Sequence, residues 1–410
     1  MTVANGKTLL AIPGPTNVPD EVLRAMHRPA LDIYSGPMLA ITKSLHEDLP
    51  KLFKTKGHAY IYAANGHGGW EAAFTNVLSR GDRVLVLESG RFAVGWGEMA
   101  KFMGVEIEVL PGDWRRAVDP AAVTERLRRD KDHAIKAVLV VQIDTASGVV
   151  NDIAAIRKAI DAAKHPALYL VDCVASLGCM PYEMDKWGVD VTMTGSQKGL
   201  MTPPGLAIVA ANERAHRAHQ SANLRTLYWD WSFRNSETHY MKYCGTPPEH
   251  LLFGLRAAID MIHAEGLDAV CRRHALLAGA VRAAIDVWSE GRVLAFNITE
   301  PGERANSITN VRVQGHDPAP LMAYVRDRCG VTLGVGLGAL EGKAFRVAHM
   351  GHVNAPMVLG TLGCIEMGLI ALKVSHGAGG VQSTACAVGD PSRVACGVRA
   401  SWPEFWSAFA

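Results

Sequence analysis

The chain predicts an α/β fold: a mostly parallel sheet covered by helices on both faces, followed by a smaller α+β domain. Three observations carry this. Short apolar runs alternate with helical patterns through the first two-thirds of the sequence. Several runs, such as Ala137-Val138-Leu139-Val140-Val141, are apolar without polar alternation, as strands buried on both sides must be. After about residue 250 the alternation gives way to long helical patterns.

Seven runs read as strands of the large sheet: 59–62, 83–87, 105–110, 137–141, 168–172, 189–192 and 206–210. Between them, 69–78, 94–102, 120–128 and 153–163 carry apolar residues at three- and four-residue spacing, which lines up one face of a helix. Helices are expected at 250–263 and 267–288, the second linking two domains. A strand at 307–313, a helix at 319–328, a strand at 345–348 and a helix at 355–372 make the smaller domain. The expected division is an N-terminal segment 1–20, a large domain 21–265, a small C-terminal domain 266–375 and a tail 376–410. The tail is rich in Gly, Ala and Ser without clear periodicity, and Trp402 and Trp406 are its large anchors. There is no internal repeat.

A length of 410 residues suggests two or three domains. Apolar residues make up 49 % and charged residues 20 %, the balance of an ordinary globular enzyme. The net charge of +2 comes with no basic block, so nucleic acid is not expected as a partner. The run 358–372 is interrupted by Glu366 and falls short of the roughly 20 apolar residues a spanning helix needs, so no membrane segment is expected. The N-terminus lacks a signal-peptide pattern, and a cytoplasmic location is the expectation. None of the eight cysteines stands in a C-x-x-C pair, and His349 and His352 have no second pair to complete a metal site. No metal is expected.

Open α/β sheets gather ligands at the carboxyl ends of their strands. After the first strand comes Ala64-Asn65-Gly66-His67-Gly68-Gly69-Trp70-Glu71, where glycines before a helix let backbone N–H groups and the helix dipole face an anion. Alone, such a cluster reads equally as a plain turn. Phe92 follows the next strand, placed either in the core or against a planar ligand. Thr145 lies in Gln142-Ile143-Asp144-Thr145-Ala146-Ser147-Gly148 after the strand ending at Val141. Asp172 ends an apolar strand, with Val174 two residues on. Ser196, Gln197 and Lys198 follow another strand.

One chemistry needs both an amine such as Lys198 and a carboxylate such as Asp172. Pyridoxal 5'-phosphate is held by a lysine imine and acts as an electron sink while its ring nitrogen stays protonated beside a fixed carboxylate. In that setting Gly66, His67 and Gly68 become the phosphate cradle, and Gln197 a phosphate contact. Thr145 then offers a hydroxyl to the ring oxygen, and Phe92 and Val174 press the ring from opposite faces.

These residues resemble the class V, fold-type I pyridoxal phosphate aminotransferases, in particular the serine–glyoxylate, alanine–glyoxylate and aspartate–glyoxylate aminotransferase group. The likeness runs from Leu10-Ala11-Ile12-Pro13-Gly14-Pro15-Thr16-Asn17-Val18-Pro19 to about Val374, and its most specific pieces are Gly195-Ser196-Gln197-Lys198-Gly199-Leu200 and Phe345-Arg346-Val347-Ala348-His349-Met350-Gly351. The resemblance implies Lys198 as the Schiff-base lysine and Asp172 as the pyridinium partner. It implies Phe92, Val174, Thr145 and Gln197 as cofactor contacts. It also puts Tyr243 and Thr246 at the phosphate of the neighbouring subunit, hence a homodimer. Arg346 takes the role of carboxylate clamp, since a guanidinium grips a carboxylate with two parallel hydrogen bonds that lysine does not reproduce.

The implied reaction moves an amino group by ping-pong chemistry from a small L-amino acid to a 2-oxo acid, glyoxylate, giving glycine. Relatives that use serine carry a D-H-R-S-like segment where this chain reads Asp32-Ile33-Tyr34-Ser35, so Tyr34 is expected at the substrate and aspartate stands beside serine as donor. Aspartate requires a second cation, for which Arg225 and Lys242 are the candidates. Alanine–glyoxylate and pyridoxamine–pyruvate transamination are alternatives. So is a cysteine desulfurase-like lyase, with Cys329 as its thiol.

Overall fold

The computed structural model of the chain describes residues 2–389, so Cys396, Trp402 and Trp406 lie outside the described residues. In chain order the strands of its two main sheets and one hairpin are β1 (Leu9–Ala11), β2 (His58–Ala63), β3 (Arg83–Leu87), β4 (Glu106–Leu110), β5 (Ile135–Val141), β6 (Ile143–Asp144), β7 (Val149–Val150), β8 (Leu168–Asp172), β9 (Val191–Gly195), β10 (Leu206–Ala211), β11 (Leu294–Phe296), β12 (Ile308–Val313), β13 (Val331–Val335) and β14 (Ala344–Ala348). The large sheet has seven strands in the order β2-β10-β9-β8-β5-β3-β4. The pairs β3–β4, β3–β5, β5–β8 and β8–β9 are parallel, while β10 runs antiparallel to both β2 and β9.

The unbroken apolar runs follow from two-sided burial. Val138, Val140, Tyr169 and Val171 enter the core on one face of the sheet, while Ala137, Leu139, Leu168 and Leu170 enter the core on the other. Each fully buried Val or Leu contributes about 1.5–3 kcal/mol relative to exposure, so a polar residue at either parity would be costly. Successive side chains alternate faces, and here both faces are dry.

Several elements differ from the sequence expectation in ways that shape the site. The helix Gly66–Thr75 begins three residues early, because the Asn65 side chain caps it by accepting from the His67 and Gly68 N–H groups. Strand β9 extends to Gly195 and so delivers Ser196, Gln197 and Lys198 at its end. A two-strand hairpin, β6–β7, stands where a loop was expected around Thr145. The helix Pro37–Leu52 was not anticipated; it buries Met38, Leu45, Leu49 and Leu52 in the large core.

The second sheet has the order β1-β13-β14-β12-β11. Its edge strand β1 comes from the N-terminal segment and pairs in parallel with β13, so the first residues stitch the second sheet to the chain's start. The segment after 375 is not structureless: Gly380–Gly389 is a helix packed on Leu267–Trp288. It is tied there by the Gly380 N–H and the Trp288 Nε1–H, both donating to Glu366 Oε1 at 3.0 and 3.1 Å. Glu366, which breaks the apolar run 358–372, is thus a helix-joining acceptor. Among the described residues no helix is long and apolar enough to cross a membrane.

Candidate active site

A cavity of about 260 Å³ opens at the carboxyl ends of the central strands, and Gly66, His67, Phe92, Thr145, Asp172, Val174, Gln197 and Lys198 all line it. Asp172 ends β8, Lys198 follows β9 and Phe92 opens the helix Arg91–Phe102 after β3, so parallel neighbours bring distant residues to one rim.

The two titratable groups have different partners. The Asp172 carboxyl is buried; Oδ1 accepts from the Val174 N–H at 2.7 Å and Oδ2 from the Trp70 Nε1–H at 2.7 Å. Burial pushes its pKa up to about 6, with the two donors and Lys198 pulling the other way. Lys198 Nζ donates to the Pro13 carbonyl, and its alkyl chain lies over Gly14. A Cβ at position 14 would stand 2.6 Å from the flexible end of Lys198, and φ is +98° there, a backbone conformation that favours glycine. Burial, with the Arg346 charge nearby, lowers the Lys198 pKa to about 8. An amine so tuned is partly neutral near pH 7, the state that attacks a carbonyl.

Arg346, on β14, is buried behind Thr145: Nε donates to the Val335 carbonyl at 2.6 Å and Nη1 to the Thr145 carbonyl at 3.1 Å. Burial brings its pKa down to about 10, opposed by the Asp144 charge. His67 is also lowered by burial and by the charges of Arg91 and Lys198.

Not every expected residue joins this group. Gly68 does not line the cavity, and the His67 and Gly68 N–H groups, expected to face a phosphate, are engaged by Asn65 Oδ1 at 3.0 and 3.3 Å. Tyr34 is 69 % exposed, in edge contact with Tyr240. Tyr243 is buried with its hydroxyl 2.8 Å from Thr42 Oγ1, and Thr246 is exposed. A single chain therefore does not carry Tyr34, Tyr243 or Thr246 to its own cavity. Arg225 pairs with Asp230 at 3.5 Å, and neither it nor Lys242 lines the cavity. Cys329 ends the helix Ala319–Cys329 and is likewise not among the lining residues.

Sequence reasoning missed three contributors. Trp70 was read only as part of a glycine-rich turn, yet it is the side-chain donor to Asp172. Its position one turn into the helix that follows the first strand of the large sheet is the signal. Asp144, next to Thr145, is fully buried and was passed over. Pro13 was noted within a motif but not as the partner of Lys198.

A sheet of this topology, with a lysine amine and a buried carboxylate lining one strand-end cavity, defines a fold-type I pyridoxal phosphate enzyme. The chain belongs to the class V aminotransferases: residues 9–350 match the aminotransferase class-V family. It is similar to the serine–glyoxylate aminotransferase of Methylorubrum extorquens, 40 % identical over 91 % of this chain and 94 % of the relative. It is also similar to the L-aspartate–glyoxylate aminotransferase of Paracoccus denitrificans, 38 % identical over 90 % of this chain and 93 % of the relative. Among solved structures, ureidoglycine–glyoxylate aminotransferase from Bacillus subtilis superposes with a TM-score of 0.86 at 25 % identity, covering 95 % of this chain and 100 % of that one.

The residues present fit the cofactor of this family. The cavity offers a fixed carboxylate, an amine of lowered pKa, an aromatic ring at Phe92 and an apolar surface at Val174. Gln197 lines it with Oε1 buried and without a partner among the described residues, capacity that a bound polar group can use. Among the described residues no group of His, Cys, Asp and Glu side chains is placed to hold a metal ion.

Proposed function

We propose that this transaminase moves an amino group from a small L-amino acid, serine first and aspartate second, to glyoxylate, giving glycine and a 2-oxo acid. The observation that carries it is the cavity, where Lys198 and Asp172 have separate partners around a space with Phe92 and Val174 on its walls. The names of the relatives, serine–glyoxylate and aspartate–glyoxylate aminotransferase, support the substrate pair. Serine is placed first because, among the described residues, Lys198 is the one lysine or arginine lining the cavity, so Arg346 behind it serves one carboxylate and no second cation is left for an aspartate side chain.

Pyridoxal phosphate, when bound, supplies the electron sink that makes the donor's Cα–H bond acidic. Lys198 would hold the cofactor through its amine and, once freed by the donor amine, would serve as the base that takes the proton from the substrate's Cα. Asp172 would keep a negative charge beside the cofactor's ring nitrogen, and Trp70 and the Val174 N–H keep that carboxylate aimed. Arg346 grips the substrate carboxylate and so fixes which bond at Cα stands where Lys198 reaches it. Thr145 and Gln197 would hold the cofactor's polar edge, and Gly66 and His67, which line the cavity, would border its phosphate end. Two chains act together, with Tyr243 and Thr246 of each reaching the phosphate end of the other's cavity and Tyr34 completing the substrate side.

A panel of half-reactions tests this. Purified enzyme loaded with cofactor is mixed with serine, aspartate, alanine or glutamate, and the visible cofactor absorbance is followed. Serine should bleach it fastest, and glyoxylate should restore it. Bleaching by alanine or glutamate alone would overturn the donor assignment, and failure of glyoxylate to restore colour would overturn the acceptor. The lyase reading predicts sulfide from cysteine, and the placement of Cys329 away from the lining speaks against it.

A further inference from the structure

Asp144 takes part in none of the chemistry above, yet it is fully buried beside the cavity with all its visible bonds directed at pieces of the wall. Oδ2 accepts from both the Phe92 and Ala93 N–H groups at 2.9 Å, and Oδ1 accepts from the Ala146 N–H at 2.9 Å. Its backbone carbonyl accepts from the Gly148 N–H at 2.7 Å, closing the turn that contains Thr145. One side chain thus joins two segments far apart in sequence, the start of the helix Arg91–Phe102 and the β6–β7 hairpin.

The helix needs such a partner. Its N-cap is Gly90, which has no side chain to cap the first turn, and its leading N–H groups would otherwise be unpaired in a dry site. The Asp144 carboxyl fills the space that a side chain at position 90 would take: an ideal Cβ there would lie 2.3 Å from Asp144 Cγ. Glycine at 90 and aspartate at 144 are therefore one device, a cap delivered from another element. Its negative charge also sits favourably at the positive end of the helix and near the Arg346 guanidinium, whose Nη1 bonds the Thr145 carbonyl. Asn310 Nδ2 reinforces the same turn by donating to the Ala146 carbonyl at 2.6 Å.

We propose that Asp144 is the positioning residue of this active site: by clamping Phe92 to the Thr145 turn it sets the spacing between the wall that stacks on the cofactor ring and the wall that bonds its polar edge. It acts through Phe92 and Thr145 and touches no reacting atom. The inference uses only the cofactor class, so it is independent of which amino acid and which oxo acid the enzyme prefers.

The test measures cofactor geometry rather than turnover. In Asp144→Asn the amide presents one acceptor and one donor to three N–H groups, so at least one stays unpaired whichever way it turns. Apoenzyme of this variant should bind pyridoxal phosphate about tenfold more weakly, the equivalent of one buried unpaired donor. The visible circular dichroism per bound cofactor should fall as well, because the ring is held less rigidly. Asp190→Asn is the control: that carboxyl is equally buried but bonds the Tyr169 N–H, Asn212 and Arg214, none of which lines the cavity. It should lower thermal stability and leave affinity and dichroism unchanged. Should Asp144→Asn not accumulate as folded protein, Gly90→Ala carries the same test, since its methyl displaces the carboxyl without removing its charge. Wild-type affinity and dichroism in the folded variant, or equal losses in Asp144→Asn and Asp190→Asn, would overturn the assignment.

Discussion

The strand ends of the large sheet and two outlying segments, 27–36 and 238–247, behave differently. At the strand ends, Phe92, Thr145, Asp172, Val174, Gln197 and Lys198 come from four segments and converge on one cavity within a single chain. In the outlying segments, Tyr34, Tyr243 and Thr246 do not line that cavity: Tyr34 and Thr246 are exposed, and Tyr243 is bonded to Thr42. Parallel register does the first job. Residues that follow adjacent parallel strands are neighbours by construction, whatever their sequence separation. No such rule brings these outlying segments to the strand ends, so what they serve has to be asked of a second copy of the chain.

The largest expected effect addresses that contrast directly. Lys198→Ala should abolish transamination, because no other amine lines the cavity among the described residues. Mixed with a Tyr243→Phe/Thr246→Ala chain and allowed to exchange subunits, it should regain activity. One of the two sites in each hybrid dimer then has every group intact, so about a quarter of the wild-type rate is the ceiling for random pairing. Sites built wholly from one chain give no recovery, and that result would turn Tyr243 and Thr246 into structural residues.

Arg346→Ala comes next. Loss of a buried, charged contact to a carboxylate costs about 2–5 kcal/mol, to be read as weaker apparent affinity for both the amino acid and the oxo acid. Unchanged affinity in both half-reactions would leave Arg346 as the support of Thr145 and Val335 that its hydrogen bonds already make it.

Trp70→Phe keeps an aromatic ring but removes the N–H that Asp172 Oδ2 accepts. A hydrogen bond to a charged group is worth about 1.5–3 kcal/mol. That donor lowers the Asp172 pKa, which burial holds at about 6, so its loss raises the pKa further and neutralises the carboxyl at higher pH. The acid limb of the kcat/KM profile should therefore move upward in pH. A downward shift or none would mean that Asp172 is held by the Val174 N–H alone.

Much of this was legible in the sequence for a plain reason. Strands buried on both faces announce themselves as apolar runs, and Leu168–Asp172 and Arg83–Leu87 were read to the residue. What escaped notice depended on partners distant in sequence. β1 is three residues long and becomes a strand through β13, more than 300 positions away. The hairpin around Thr145 and the Asp144 clamp exist because Gly90 leaves room for a carboxyl from another segment. The helix Gly380–Gly389 is held by Glu366 and by packing on Leu267–Trp288, partners distant in sequence. Lys198 and Asp172 were legible as chemistry, whereas their partners Pro13 and Trp70 needed coordinates.

The smallest effect concerns the N-terminal end of the helix Gly66–Thr75, where strand-end and anion-cradle readings meet. Asn65 Oδ1 now takes the His67 and Gly68 N–H groups that a phosphate would use. Asn65→Ala removes that cap, which typically costs about 1 kcal/mol of stability. If the phosphate sits at this helix end, the freed N–H groups gain a stronger acceptor when pyridoxal phosphate binds. Thermal unfolding of both forms should then show a full penalty in apoenzyme and a smaller one in the loaded enzyme. An equal penalty in the two forms would place the phosphate elsewhere along the cavity and leave Asn65 a helix cap with no part in binding.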